Sequence, residues 1–387
     1  MLRSAGAALA SASLPVVGSL QAASSAGSRG DLLDRITGCI AGAYIGSSLG
    51  VPVEGWDRRK IASRHDPLDK FLPFRIRSQA FSAGNTEDGM ERQKYMYLAI
   101  IEKKGRITAD DLVAMWLKVT TPEKLEKMKH MTEPFDLELM EIAQSGQVAA
   151  VRLGEHGYAH LSAPIRCFHP IVIINACDEQ GAISDTCDVL RVYQPLESEA
   201  YAWGSAYNAA AAHAMRDDAS VDSVIETALK YSTGEMRDEI GAGLDIVGKY
   251  DNPIEQREAM YEDFAKIYNK QTCTGYYDMS RAHECATVAL SMFKAAKGNV
   301  KDAVILATNL GRDTDCNAAA SGGLAGAFSG TATIPPGWIQ TVDSATKGNP
   351  YTNSQLSIGE TAKGMYGALQ HKIARMQEYV ELVKAQG

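Results

Sequence analysis

The sequence predicts an all-α fold, a single domain of roughly a dozen helices that follows a short leader. Apolar residues recur three or four positions apart along most of the chain, which is the pattern of amphipathic helices. Very few segments alternate in the two-residue period of a half-buried strand. Aromatic residues make up only 7% of the chain while Ala and Gly are plentiful, which favours closely packed helices over a β-sandwich.

Residues 1–30 differ in composition from the rest of the chain. They contain no acidic residue, an early Arg3, an apolar stretch and a candidate cleavage site at Leu20-Gln21-Ala22. This composition is typical of a signal peptide that is removed on export. We therefore expect a periplasmic or extracellular protein whose helical domain spans residues 31–387. A Ser-rich transit peptide or a disordered tail is the alternative, and without a signal the protein would be cytoplasmic.

Two segments carry glycines at every fourth position. One runs from Gly38 to Gly50 and the other from Gly322 to Gly330. On a helix this spacing leaves a bare stripe, so we expect the two helices to pack against each other at the centre of the domain. Residues 36–53 are uncharged over a length that approaches a membrane span, but their glycines, serines and proline favour a buried helix. We therefore expect no membrane span.

The remaining helices are predicted from apolar periodicity and from capping residues at their starts. Residues 60–85 look irregular, and residues 160–182 read as a strand or as a helix opened by Pro170, with the helical surroundings favouring the helix. The other predicted helices cover residues 85–103, 108–119, 122–129, 136–150, 183–193, 197–216, 220–231, 236–249, 254–269, 281–297 and 300–309.

Charge and cysteine usage exclude several classes of function. The net charge is −8 and the pI is about 5.6, which argues against a protein that binds nucleic acid through its backbone phosphates. The seven cysteines show no C-x-x-C pair, so zinc-ribbon and redox motifs are poorly supported. We expect most of these cysteines to be buried as small hydrophobic residues.

Acidic residues cluster at two predicted helix starts and at one helix exit. Thr86-Glu87-Asp88 and Asp313-Thr314-Asp315 occupy the starts, and Glu54 follows the first glycine-striped helix. Carboxylate and hydroxyl oxygens are the ligands that Mg²⁺ and similar hard cations prefer. The same residues are also ordinary helix caps, so the spacing alone leaves both interpretations open.

Three motifs resemble those of the ADP-ribosylglycohydrolase family, whose members include the dinitrogenase reductase-activating glycohydrolase. ITGCIAGAYIGSSLGVPVE is similar to the family's opening helix and its Pro-x-Glu, and NTEDGME is similar to its Thr-Asp-Asp helix start. GRDTDCNAAASGGLAGAFSG is similar to its Asp-x-Asp-Thr/Ser motif with the small-residue helix that follows. The motifs occur in family order and cover about residues 33–345. The resemblance implies an orthogonal helical bundle that holds two Mg²⁺ or Mn²⁺ ions.

Carried over residue by residue, the resemblance also implies a ligand set. The implied metal ligands are Glu54, Thr86, Glu87, Asp88, Asp313, Asp315 and Cys316. Of these, Glu54, Glu87 and Asp88 are also the catalytic candidates, with Glu54 the proposed general base. This chain departs from the family at Glu87, which replaces an Asp, at Ser47, where the family often has Asp, and at Cys316, which replaces a hydroxyl. A thiol is a poor partner for Mg²⁺, so Cys316 is either no ligand or favours Mn²⁺.

The middle of the chain departs furthest from the family. Members that cleave ADP-ribose usually carry a glycine-rich loop ending in Met-Arg, whereas this chain has HLSAPIRCFHP, without the glycines. The candidate substrate-binding residues are His160, Ser162, Arg166 and Tyr276, for which purely structural roles are the alternative. The altered loop is consistent with retained metal chemistry and a changed substrate.

The expected activity is hydrolysis of an N- or O-glycosidic bond at an anomeric carbon through an oxocarbenium-like transition state. An ADP-ribosyl group or a related ribosyl conjugate is the first candidate for this small-molecule substrate. A small nucleoside or sugar glycoside, without ADP-ribose activity, is the second. A non-catalytic binding relative with the same fold is the third.

Overall fold

The structure is a computed structural model that describes residues 30–76, 78–128, 134–146, 157–265 and 278–386. The proposed leader, apart from its last residue, and the candidate Tyr276 lie outside these residues. So do the ends of three predicted helices, at residue 129, at 147–150 and at 266–269.

Most of the described residues are helical and very few lie in strands, which confirms the all-α prediction. One small hairpin pairs β1 (Phe74–Ile76) antiparallel with β2 (Gln79–Phe81). The helices are α1 (Leu32–Gly50), α2 (Arg58–Arg64), α3 (Asp88–Lys103), α4 (Ala109–Val119), α5 (Pro122–Met128), α6 (Pro134–Gln144), α7 (Ala163–Arg166), α8 (His169–Ile174), α9 (Glu179–Val189), α10 (Ala200–Ala214), α11 (Val221–Lys230), α12 (Gly234–Gly248), α13 (Pro253–Ala259), α14 (Ala282–Ala295), α15 (Val300–Thr308), α16 (Thr314–Ser329), α17 (Trp338–Gly348) and α18 (Ile358–Lys384).

Helices α1 and α16 pack against each other along their glycine stripes, as the sequence predicts. A Cβ atom built on Gly42 would lie 2.0 Å from the carbonyl oxygen of Gly322, and one on Gly326 would lie 1.9 Å from that of Gly38. The two backbones are therefore in direct contact, which only residues without a side chain allow. This contact places the C-terminal end of α1, which carries the first motif, beside the N-terminal end of α16, which carries the third motif.

Helix α1 is also the one described helix that is long and apolar enough to cross a membrane. The candidate span is Leu32–Val53, and 89% of its most apolar window is buried inside the protein. Its apolar surface is covered by neighbouring helices, which agrees with the sequence-based interpretation of a buried core helix.

Several local predictions need correction or completion. The segment 60–85 is not irregular throughout, because it contains α2 and the hairpin, in which the rings of Phe74 and Phe81 stack with centroids 5.1 Å apart. The strand alternative for residues 160–182 is wrong: the apolar run after Pro170 forms the short buried helix α8. Helices α17 and α18 were not predicted. Of the six described cysteines, Cys177 and Cys187 are exposed and the others are buried.

A tight turn before α16 joins the first motif to the third. The N–H of Gly55 donates to the carbonyl of Arg312 at 2.8 Å, and the N–H of Arg312 donates to the carbonyl of Trp56 at 2.8 Å. Gly311 and Arg312 both adopt left-handed backbone conformations, with φ of 90° and 64°. The Arg312 guanidinium is buried and donates to both carboxylate oxygens of Glu284, at 2.5 and 2.7 Å. This ion pair holds the turn that presents Asp313.

We expect Glu284→Ala to destabilise the protein by about 3–5 kcal/mol, because it removes the carboxylate that neutralises a buried arginine. Urea denaturation gives the free energy of unfolding. Glu381→Ala is the matched control, since Glu381 and its partner Lys384 are 73% and 66% exposed and such pairs contribute about 0–1 kcal/mol. Equal effects of the two substitutions would show that the buried pair does not hold the turn.

Candidate metal and substrate site

The three sequence motifs meet at one cavity. Its volume, including the part open to solvent, is about 1390 Å³. Residues of the motifs and of the altered loop line it, namely Glu54, Thr86, Glu87, Asp88, Ser162, Arg166 and Cys316. The start of α16 is tied to the end of α1 by the Thr314 hydroxyl, which donates to the Gly50 carbonyl at 2.8 Å. Packing of the two helices thus places acids from distant parts of the sequence around one space.

Asp313 and Asp315 form a buried acidic pair next to this cavity. They are only 1% and 2% exposed, and one ligand atom from each, together with the Cys316 sulfur, lies within 4.8 Å of the others. Asp313 stands at the N-cap of α16, but its side chain makes no capping hydrogen bond. The capping interpretation therefore does not explain Asp313.

Three oxygens of this pair lack a hydrogen-bond partner. Within the described chain, no hydrogen bond of ordinary geometry reaches either carboxylate oxygen of Asp313 or Oδ1 of Asp315, although Asp315 and Cys316 lie close enough to Asp313 to lower its pKa slightly. Burial raises the pKa of both groups, and the nearby Glu54 adds to the shift at Asp313. Buried polar groups are ordinarily satisfied, so three unpartnered carboxylate oxygens in one place fit the coordination shell of a hard cation.

In the second motif, by contrast with Asp313, the Glu87 carboxylate has hydrogen-bond partners. Glu87 caps α3, with its Oε2 accepting from the Gly89 N–H at 2.6 Å and its Oε1 accepting from the Ser47 hydroxyl at 3.0 Å. Glu87 is therefore a helix cap, which is the alternative that the sequence left open. Thr86, beside it, is 5% exposed and lines the cavity. Ser47, which replaces the Asp frequent in the family, has become a hydrogen-bond donor to the motif.

Arg166 lies among the carboxylates of both motifs. Its Nη1 is 2.9 Å from Oδ2 of Asp315 and 3.1 Å from Oε2 of Glu87, and its Nη2 is 3.1 Å from Oδ2 of Asp88. Burial alone would raise the pKa of Asp88, but Arg166 and Arg92 outweigh it and hold that pKa below its usual range. Predicted as a substrate-binding residue, Arg166 has three carboxylate partners in the structure.

The other predicted substrate residues are placed as follows. Ser162 lines the cavity, at the start of α7. His160 is not among the cavity-lining residues, and its Nδ1 accepts from the Glu199 N–H at 3.2 Å. His169, at the far end of the same loop and not a predicted substrate residue, is buried between Gln93 and Tyr207, and burial lowers its pKa to about 4. Neither histidine is brought to the acids.

One wall of the cavity was not predicted from the sequence. It is lined by the aromatic residues Tyr95, Trp116 and Phe135, with Asp136 beside them. Arg92 links this wall to the acids, since its Nε donates to Asp136 at 2.8 Å and its guanidinium lies 4.7 Å from the ring centre of Phe135. Burial, only partly opposed by Arg92, raises the pKa of Asp136 to about 6. The sequence could have predicted part of this wall, because the helical spacing of residues 88, 92 and 95 puts Arg92 and Tyr95 on the same face of α3 as Asp88.

Comparisons with known proteins agree with this architecture. The sequence model of the ADP-ribosylglycohydrolase family matches residues 28–369. The uncharacterized protein YegU of Escherichia coli K12 is 21% identical over 310 residues, which cover 78% of this chain and 90% of that protein. A solved structure described as an ADP-ribosylglycohydrolase-related protein complex superposes with a TM-score of 0.62 at 16% identity, covering 88% of this chain and 99% of its own. At that identity the structural likeness shows the fold alone.

Proposed function

Since this chain belongs to the ADP-ribosylglycohydrolase family, we propose that it is a metal-dependent glycohydrolase that cleaves an N- or O-glycosidic bond at an anomeric carbon. An ADP-ribosyl group or a related ribosyl conjugate is the proposed substrate, and Mg²⁺ or Mn²⁺ the proposed cofactor. The observation that carries the proposal is the buried pair of Asp313 and Asp315 with its three unpartnered oxygens.

Asp313 and Asp315 would hold the cation, through oxygens that nothing else in the described chain uses. When bound, a divalent cation supplies positive charge that orients sugar hydroxyls and favours deprotonation of water at neutral pH. Cys316 is a poor candidate ligand, because burial raises the pKa of its thiol and thiols suit softer metals.

Glu54 is the proposed general base. It lines the cavity and is close enough to Asp313 to raise the pKa of that residue. A carboxylate in this position can take the proton from the attacking water. Asp88 lines the same cavity and is the second proposed catalytic carboxylate, and its pairs with Arg166 and Arg92 keep it ionised. Glu87 would act by capping α3 and so positioning Asp88.

The wall formed by Tyr95, Trp116 and Phe135 gives the cavity an apolar boundary. The three rings are only 1–3% exposed and pack against their neighbours, so they would border the apolar part of a substrate rather than stack on it. Asn349 and Asn353, which also line the cavity, offer polar groups.

A second substrate class is a small nucleoside or sugar glycoside, without activity on ADP-ribose. The observation that favours it is the position of Arg166. This guanidinium, which the altered loop contributes, already contacts three carboxylates and is not oriented to bind a diphosphate. A diphosphate-bearing substrate would then have to bind through other cations.

A hydrolysis assay with a panel of substrates tests the proposal. The panel contains an ADP-ribosyl conjugate, a nucleoside and aryl ribosides and hexosides, each assayed with Mn²⁺ and with a chelator. We expect Mn²⁺-dependent release of the ribosyl group, reduced by at least about 100-fold in Asp315→Asn.

The other outcomes of this assay discriminate the alternatives. Turnover of the nucleoside or hexosides alone would select the second substrate class. Turnover that is unchanged by the chelator or by Asp315→Asn would contradict the metal-dependent mechanism. No turnover on any substrate, in protein that binds Mn²⁺, would indicate a non-catalytic relative.

A further inference from the structure

The carboxylate oxygens of the second and third motifs fall into two groups. Both oxygens of Glu87 and both oxygens of Asp88 accept hydrogen bonds, from Ser47, the Gly89 N–H and Arg166 for Glu87 and from Arg166 for Asp88. By contrast, the unpartnered oxygens all belong to Asp313 and Asp315. One group therefore already has its donors, and the other offers one set of free ligand oxygens.

Arg166 is the donor that joins these groups. Its Nη1 bridges Oε2 of Glu87 in the second motif and Oδ2 of Asp315 in the third, 3.1 and 2.9 Å away. An ion that bridged these same two oxygens would have to occupy the position of Nη1. A guanidinium keeps its positive charge at any physiological pH, so it repels a divalent cation brought to that position.

The position of Arg166 is built into the fold. A Cβ atom on Gly89 would lie 2.8 Å from both Cζ and Nε of Arg166, so the guanidinium is seated in space that a side chain at position 89 would fill. The backbone carbonyl of Arg166 accepts from the buried Gln93 side chain at 2.7 Å. The Arg166 side chain itself is only 10% exposed. Positions 89 and 93 are one helical turn apart, so Arg166 is held against a single face of α3.

We propose that Arg166 takes the place of the second cation, so that each chain binds a single divalent ion at Asp313 and Asp315. The guanidinium supplies the fixed positive charge that neutralises Glu87 and Asp88 and links the second motif to the third. The inference rests on the metal site of the proposed function, and it replaces the two-ion site that the family resemblance implies with a site of one ion and one arginine.

Counting bound Mn²⁺ tests this inference without any assay of activity. Metal-free protein is titrated with Mn²⁺ in equilibrium dialysis, and electron paramagnetic resonance reports whether the bound ions are isolated or exchange-coupled. For the wild type we expect one Mn²⁺ per chain with the spectrum of an isolated ion. For Arg166→Met we expect two per chain with an exchange-coupled spectrum.

Two further variants make the test independent of one substitution. Gly89→Ala keeps Arg166 but fills the space that its guanidinium occupies. We expect this variant also to bind a second ion. It replaces Arg166→Met in the test if that variant does not fold. Arg59→Met is the matched control, because Arg59 is 69% exposed in a pair with Glu262 and its loss leaves one ion bound.

The contrary outcomes are distinct. Two ions in the wild type would overturn the inference while leaving the proposed metal-dependent hydrolysis intact. One ion in the wild type, in Arg166→Met and in Gly89→Ala would show that the arginine does not exclude the second ion. No bound ion in the wild type would overturn the inference together with the metal site on which it rests.

Discussion

Replacing Asp313 by asparagine is expected to abolish the Mn²⁺-dependent rise in thermal midpoint and at the same time to stabilise the metal-free protein. Asp313 is 1% exposed, and neither of its oxygens has a donor among the described residues. A buried carboxylate without partners is costly, and the nearby Glu54 adds repulsion, which raises the pKa of Asp313. The neutral, isosteric amide removes that repulsion, for an expected gain of about 1–3 kcal/mol without metal.

Hydrolysis should fall together with metal binding in the same variant. Loss of one charged ligand from the centre that stabilises the transition state is expected to lower kcat/KM by about 10³-fold or more. A saturating ligand at 100 times its Kd stabilises a folded protein by about 2.7 kcal/mol, so the missing Mn²⁺ shift is easily measured. Asp302→Asn, on the exposed first turn of α15, is the control. An Asp313→Asn protein that keeps the wild-type Mn²⁺ shift would exclude this carboxylate as a ligand.

Gly42→Ala is expected to be among the most destabilising additions of a single methyl group to the described residues. The added Cβ would lie 2.0 Å from the Gly322 carbonyl oxygen, and backbone atoms cannot yield as a flexible side chain does. Helices α1 and α16 must move apart, so we expect a loss at or above the upper end of the usual 1–3 kcal/mol for overpacking. The shift would also separate the two helix ends that carry the first and third motifs.

The matched control for that substitution is Gly241→Ala. Gly241 lies within α12, and a Cβ atom there meets nothing within 4 Å. Alanine is the better helix former, so this change should stabilise the protein by about 0.5–1 kcal/mol. Chemical denaturation of the two variants separates packing from helix propensity. If Gly42→Ala matched Gly241→Ala, the close contact between α1 and α16 would be wrong.

The parts of the fold that are encoded locally could be predicted from the sequence. The glycine stripes have a helical period, so they predicted both α1 and α16 and the contact between them. The helix starts at Asp88 and Thr314 carry capping residues just before an apolar run, and both were predicted within a few residues. The sequence therefore places the three motifs at helix ends.

What could not be predicted depends on contacts between distant segments. The sequence assigns the same residue types to a helix cap and to a metal ligand, and only the hydrogen bonds separate Glu87, which caps α3, from Asp313, which does not. Arg166 is followed by an apolar segment and gives no local sign that it reaches carboxylates at positions 87, 88 and 315. The aromatic wall resembled ordinary core residues, because cavity-facing and core-facing positions of a helix share one period.

The claim that Asp313 and Asp315 hold a catalytic cation is tested most directly by anomalous diffraction from crystals of the Mn²⁺-loaded protein. We predict an anomalous peak at about 2.0–2.3 Å from oxygens of both carboxylates, a distance typical of small divalent cations. Absence of a peak beside this pair, or a peak only elsewhere in the molecule, would contradict it.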